Sequence, residues 1–82
     1  SHNLVTYANV KMITITYITQ DGVDKVASWF ENYLAADRWQ VISSSVSDGA
    51  KTLVAIKERA MIDITISPKV GYTEIKIGYQ SG

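Results

Sequence analysis

Two runs of the chain alternate apolar and polar residues with a period of two: Ile62, Ile64, Ile66, and then Ile75, Ile77, Tyr79. That period predicts two half-buried strands, each with one face on a core. A third run has the period of a helix instead. Val23, Val26, Ala27, Phe30 and Leu34 recur at spacings of three and four, with Asp24, Lys25, Ser28, Glu31 and Asn32 on the other side. This predicts one amphipathic helix from about Asp21 to Ala36, with Trp29 and Tyr33 on the flank of its apolar stripe. Asp21 is expected to cap its N-terminus, and Asp24 adds negative charge near the positive end of the dipole.

The remaining elements follow from β-branched runs and turn residues. Lys11 to Thr19 reads as the first strand, bounded by Gln20-Asp21-Gly22. Leu4 to Tyr7 adds a short extended lead. Trp39 to Val46 and Thr52 to Lys57 are strands joined by an Asp48-Gly49 hairpin turn. Glu58-Arg59 turns into Met61 to Ser67, and Pro68 to Gly71 is predicted as a loop before Tyr72 to Tyr79. The predicted class is α+β, in the order β-α-β-β-β-β. Three consecutive hairpins imply an antiparallel meander with the single helix across one face, a cystatin-like architecture. Val26, Phe30 and Leu34 are expected to pack on Ile62, Ile64, Ile75 and Ile77.

If Glu58-Arg59 is a two-residue turn, Lys57 pairs with Ala60, Ile56 with Met61, and Ala55 with Ile62. Ile62 faces the helix, so Leu53 and Ala55 do too. Val54, Ile56 and Met61 are then pushed to the outer face of the sheet. Met12 joins them if the register of the first strand allows.

Length and composition narrow the functional classes. With 82 residues the chain forms one small domain, read here as residues 3–82 after a Ser1-His2 remnant of a cleaved affinity tag. It has no cysteine, which excludes disulfides and thiolate metal sites. Eight basic residues balance eight acidic ones, and they are mixed along the chain. Without a basic stripe, nucleic acid is not an expected partner. No apolar run approaches the roughly 18 residues of a membrane span.

Tyr17-Ile18-Thr19-Gln20-Asp21, followed by Val23, Val26, Phe30, Leu34 and Trp39, resembles the pattern of small β-α-β4 domains of bacterial lipoproteins and envelope proteins. In those domains a strand ending in Thr-x-Asp leads into a helix that closes with Gly-Trp. Tyr7-Ala8-Asn9-Val10 is similar to their Tyr-Pro-Gly-Ala lead, and Leu53-Val54-Ala55 and Ile62 to Pro68 resemble their later strands. The resemblance implies an extracytoplasmic setting and no catalytic residues. The chain departs from the pattern at Arg38, where Gly is usual. Either the helix ends left-handed on a non-Gly residue or it ends differently.

Candidate chemistry is sparse. The only histidine, His2, lies in the tag remnant, so no nucleophile–histidine arrangement is expected. Asp63 and Glu74 fall on neighbouring strands and are weighed as an acid–base pair, but mixed charge on a solvated sheet face explains them better. Gln20, Asp21 and Asp24 lack the calcium-loop pattern, and the glycines make no phosphate loop. No cofactor or metal is expected, and no enzymatic activity. The aromatic residues read chiefly as the rim of a small core. The expected role is therefore a non-catalytic interaction or accessory domain that forms a homodimer or binds a protein through Val54, Ile56 and Met61. The alternative is a small-ligand domain with a helix–sheet groove lined by Trp29, Tyr33 and Tyr79.

Overall fold

The computed structural model describes residues 11–81. The expected tag remnant, the lead strand at Leu4 to Tyr7 and His2 lie outside the described residues. The elements are β1 (Lys11–Thr19), α1 (Val23–Ala36), β2 (Gln40–Ser47), β3 (Ala50–Lys57), β4 (Ala60–Lys69) and β5 (Tyr72–Ser81). They build one five-stranded antiparallel sheet in the order β1-β5-β4-β3-β2, with α1 on one face. The α+β class and element order are those the hydrophobic pattern predicts.

Register follows from the turns. Lys57 pairs with Ala60, Ile56 with Met61 and Ala55 with Ile62, so Glu58-Arg59 is a two-residue turn. Leu53, Ala55, Ile62, Ile64 and Ile66 therefore share the helix face, while Val54, Ile56 and Met61 share the outer one. Asp48 and Gly49 take φ of +53° and +81°, the primed-turn geometry whose twist suits a two-residue hairpin. The expected loop at Pro68 to Gly71 contracts to Val70-Gly71. Pro68 stays within β4, opposite Thr73. The ladder with β3 ends at Ile66, so on that side the missing N–H of Pro68 breaks no bond.

The core is a single cluster of Val26, Ala27, Leu34, Leu53, Ala55, Ile64, Ile66 and Ile75, with Val23, Phe30, Trp39, Ile62 and Ile77 partly buried against it. Phe30 thus belongs to the margin of the core, and Leu34 occupies its centre. The N-cap also differs from expectation. Gly22 is the N-cap and carries no side-chain cap. The N–H of Asp21 donates to Thr19 Oγ1 at 3.2 Å, and its carboxylate pairs with Lys25 Nζ at 3.4 Å. Thr19 therefore turns the chain one residue early, and Asp21 sits before the cap.

At its other end α1 closes in a Schellman motif. Arg38 N–H donates to the Ala35 carbonyl and Trp39 N–H to the Leu34 carbonyl, at 3.2 and 2.8 Å. Arg38 has φ +65°, so the non-Gly residue does occupy the left-handed position.

Candidate ligand groove

The helix does not lie centrally on its sheet. It packs on β4, β3 and β2, and leaves the β1–β5 side open. Two ion pairs join it to β3. Lys51 and Lys57, at opposite ends of β3, face the helix side. Lys51 Nζ reaches Glu31 Oε2 at 3.1 Å, and Lys57 Nζ reaches Asp37 Oδ2 at 3.3 Å. Each pair is partly exposed and contributes little, so the pairs mark the track of α1 over β3 that the buried contacts of Val26, Ala27 and Leu34 establish. Glu31, placed on the solvent face by periodicity, is one of these anchors.

The offset leaves apolar side chains uncovered. On β1, Ile13 pairs with Tyr79, Ile15 with Ile77, and Tyr17 with Ile75, so all six point to the helix side. No helix lies above the β1 row: Ile13 is 50 %, Ile15 40 % and Tyr17 53 % exposed.

Between β1, β5 and the first half of α1 the gap becomes a groove of about 490 Å³. Its walls are Tyr17, Val26, Trp29, Phe30 and Ile75, with Asp21 and Lys25 at its mouth. Trp29 is 61 % exposed, meets Phe30 edge-on at 4.9 Å and stacks on Tyr33 at 5.7 Å. Mutual stacking orients the indole without burying it, leaving one aromatic wall facing solvent.

A second hollow, of about 570 Å³, lies near the C-terminal end of α1. Tyr33, Asp37, Trp39, Lys57, Arg59 and Tyr79 line it. The expected groove trio is therefore divided: Trp29 lines the apolar groove, Tyr33 and Tyr79 line the polar hollow, and the Trp29–Tyr33 stack stands between. Three of its lining side chains are engaged with one another. Trp39 Nε1 donates to Asp37 Oδ2 at 3.0 Å, and that bond, followed by the contact with Lys57, holds the Asp37 carboxyl below its usual pKa. Lys57 also sits 5.9 Å from the Trp39 ring, which meets Tyr79 edge-on. Asp37, Trp39 and Lys57 are thus spent on one another, whereas the walls of the apolar groove keep exposed contact surface at Trp29 and Tyr17.

The remaining candidates separate. Asp63 lies opposite Gly78 and Glu74 opposite Ser67, four residues apart along the strand, or roughly 13 Å. Glu74 lies 4.0 Å from Lys69 instead, so the two carboxylates make no acid–base pair. Among the described residues no cluster of three potential metal ligands occurs. No helix among them is long and apolar enough to cross a membrane. On the outer face, Ile56, Met61, Gln80 and Met12 form one row, so Met12 does join the candidate interface, with Gln80 intervening. The sequence singled out Trp29 but missed Tyr17 and Ile75 as groove walls. The signal was the uncharged alternation of β1, which reads equally well as core.

A single helix offset on an antiparallel sheet, with an apolar groove along its open flank, defines an α+β domain of the helix-on-sheet class. The chain belongs to the START domain-like family, whose model matches residues 4–81. An uncharacterized protein of Archaeoglobus fulgidus is 31 % identical over 77 residues, covering 94 % of this chain and 83 % of its own length. A second uncharacterized protein of the same organism is 34 % identical over 71 residues, covering 85 % of this chain but 25 % of its own length. No solved structure matches the chain. These findings overturn the resemblance to bacterial envelope and lipoprotein domains: the family is a different one and the relatives are archaeal. The shared residues that carried the resemblance, a Thr-x-Asp strand end and a spaced apolar helix, are those any helix packed on a sheet would use.

Proposed function

We propose that this is a non-catalytic binding domain that takes a small apolar molecule in the groove between α1 and β1–β5. The carrying observation is the open groove itself, walled by Tyr17, Val26, Trp29, Phe30 and Ile75. Its volume falls in the range of roughly 300–1,000 Å³ used for small ligands. Membership of the START domain-like family supports a ligand-binding reading. The walls set the chemistry: a flat or branched hydrocarbon stacks on Trp29 and Tyr17, and any polar end points to the Asp21–Lys25 mouth.

The test uses an apolar dye, anilinonaphthalene sulfonate, with the folded protein. The dye gains fluorescence and raises the melting temperature, since it binds the native state. Trp29→Ala and Tyr17→Ala each weaken it on the order of tenfold, the scale of one aromatic wall. Both side chains are more than half exposed, so the variants keep their melting temperature without dye. Variants that bind dye like the parent chain overturn the proposal.

A second reading, contact with a protein partner through the outer sheet face, is favoured by the single row that Ile56, Met61 and Met12 form. Here Ile56→Lys abolishes the association and leaves dye binding unchanged. An association that survives Ile56→Lys in the folded protein excludes that face.

A further inference from the structure

β1 is a free edge among the described residues, and its sequence is a near-palindrome. About Ile15 the flanking pairs are Thr14 with Thr16, Ile13 with Tyr17, and Met12 with Ile18. Like stands with like at every step. Placed antiparallel against a second copy with Ile15 opposite Ile15, the strand brings threonine against threonine and apolar side chain against apolar side chain. All of these residues are exposed, with Met12 and Ile18 at 74 % and 69 %.

Sheet edges usually carry devices that block such pairing: a charge, a proline, a bulge or a covering element. Met12 to Thr19 contains no charged residue and no proline. Its ladder with β5 runs without a register shift from Lys11 to Thr19. The opposite edge is different. β2 has a register shift between Val41 and Ser43 and a run of three serines. A bulge bends that edge away from a flat ladder. β2 is uncharged as well, so the difference between the two described edges is the bulge: β1 runs straight, with its one charge, Lys11, at its start.

We propose that β1 is a self-association edge: two copies of this chain join β1 to β1 across a two-fold axis at Ile15, giving one continuous ten-stranded antiparallel sheet. A closed two-fold uses the same edge of both copies, so no edge of this kind is left to propagate. On the helix side, Ile13 of each copy falls opposite Tyr17 of the other. The uncovered row of β1 thereby gains an apolar neighbour beside each groove. This inference rests on the edge and its symmetry, and stands whether or not the groove holds a ligand.

The chain has no cysteine, which allows a direct test. Directly opposed strand residues have Cα atoms about 4.5–5.5 Å apart, within disulfide reach. Ile15→Cys is expected to oxidise to a covalent dimer, while Val46→Cys on the β2 edge stays monomeric under the same conditions. Sedimentation of the unmodified chain shows a dimer insensitive to salt, because no ion pair holds it. Ile15→Lys brings two ammonium groups together at the axis and weakens the dimer on the order of a hundredfold. Its far-ultraviolet dichroism stays native because position 15 is exposed. A chain that stays monomeric at its highest soluble concentration overturns the proposal. So does a folded Ile15→Lys protein that remains dimeric, or equal cross-linking through position 46.

Discussion

Leu34→Ala is expected to lower the stability of the domain by about 2–5 kcal/mol, the range for emptying a fully buried leucine site. Leu34 is fully buried, in the same cluster as Leu53, Ile64 and Ile66. The cavity cannot collapse easily. Its floor is a hydrogen-bonded sheet, and its roof is a helix end whose Leu34 carbonyl is tied to Trp39 N–H. For a domain of this size each kcal/mol moves the melting temperature by roughly 4–8 °C, so a fall of about 8 °C or more is expected. Thermal and urea unfolding measure it. A variant melting within two or three degrees of the parent chain, by the roughly 4–8 °C scale above, would show that Leu34 is not the centre of the core. Phe30→Ala removes a larger side chain from a half-open site at the groove margin, and much of the space it leaves fills with water.

How far the fold was legible depended on which physical rule governed each part. The β3–β4 register was readable because two independent signals agreed: a two-residue turn at Glu58-Arg59 and the fixed inward direction of Ile62. The placement of Val54, Ile56 and Met61 on the outer face followed from that, whereas Met12 waited on the β1–β5 register, which no turn next to β1 fixes. Local competition was not readable. Asp21 has the chemistry of a cap, but Thr19 captures its N–H and shifts the cap to Gly22.

The groove was the least legible feature. Periodicity says that Ile13, Ile15 and Tyr17 share a face; it does not say whether anything covers that face. Coverage depends on the lateral position of α1, which Lys51–Glu31 and Lys57–Asp37 help to set between partners 20 positions apart in the chain. A lysine on a strand and a glutamate on a helix carry no sign in the sequence that they will meet. The same blindness produced the misplaced resemblance, since a helix-on-sheet pattern is shared by families with nothing else in common.

Arg38→Gly is expected to stabilise the domain by about 1 kcal/mol and to raise its melting temperature by roughly 4–8 °C. At φ +65° the Cβ of Arg38 crowds its own backbone, a strain of about 1–2 kcal/mol for an L-residue outside glycine. Glycine removes that strain, and part of the gain is offset because the unfolded chain becomes more flexible, by about 0.4–1 kcal/mol. The hydrogen bonds of the helix end come from backbone groups, Arg38 N–H to Ala35 and Trp39 N–H to Leu34, so the substitution leaves them intact. Arg38→Ala separates the two contributions. It keeps the Cβ and loses the guanidinium, so a purely conformational effect leaves its stability near that of the parent. Should Arg38→Gly and Arg38→Ala both destabilise by similar amounts, the side chain rather than the backbone is what position 38 supplies. The strain is tolerable in the parent because the residue it positions, Trp39, packs against the core and donates to Asp37, closing the helix end onto β3 through Lys57.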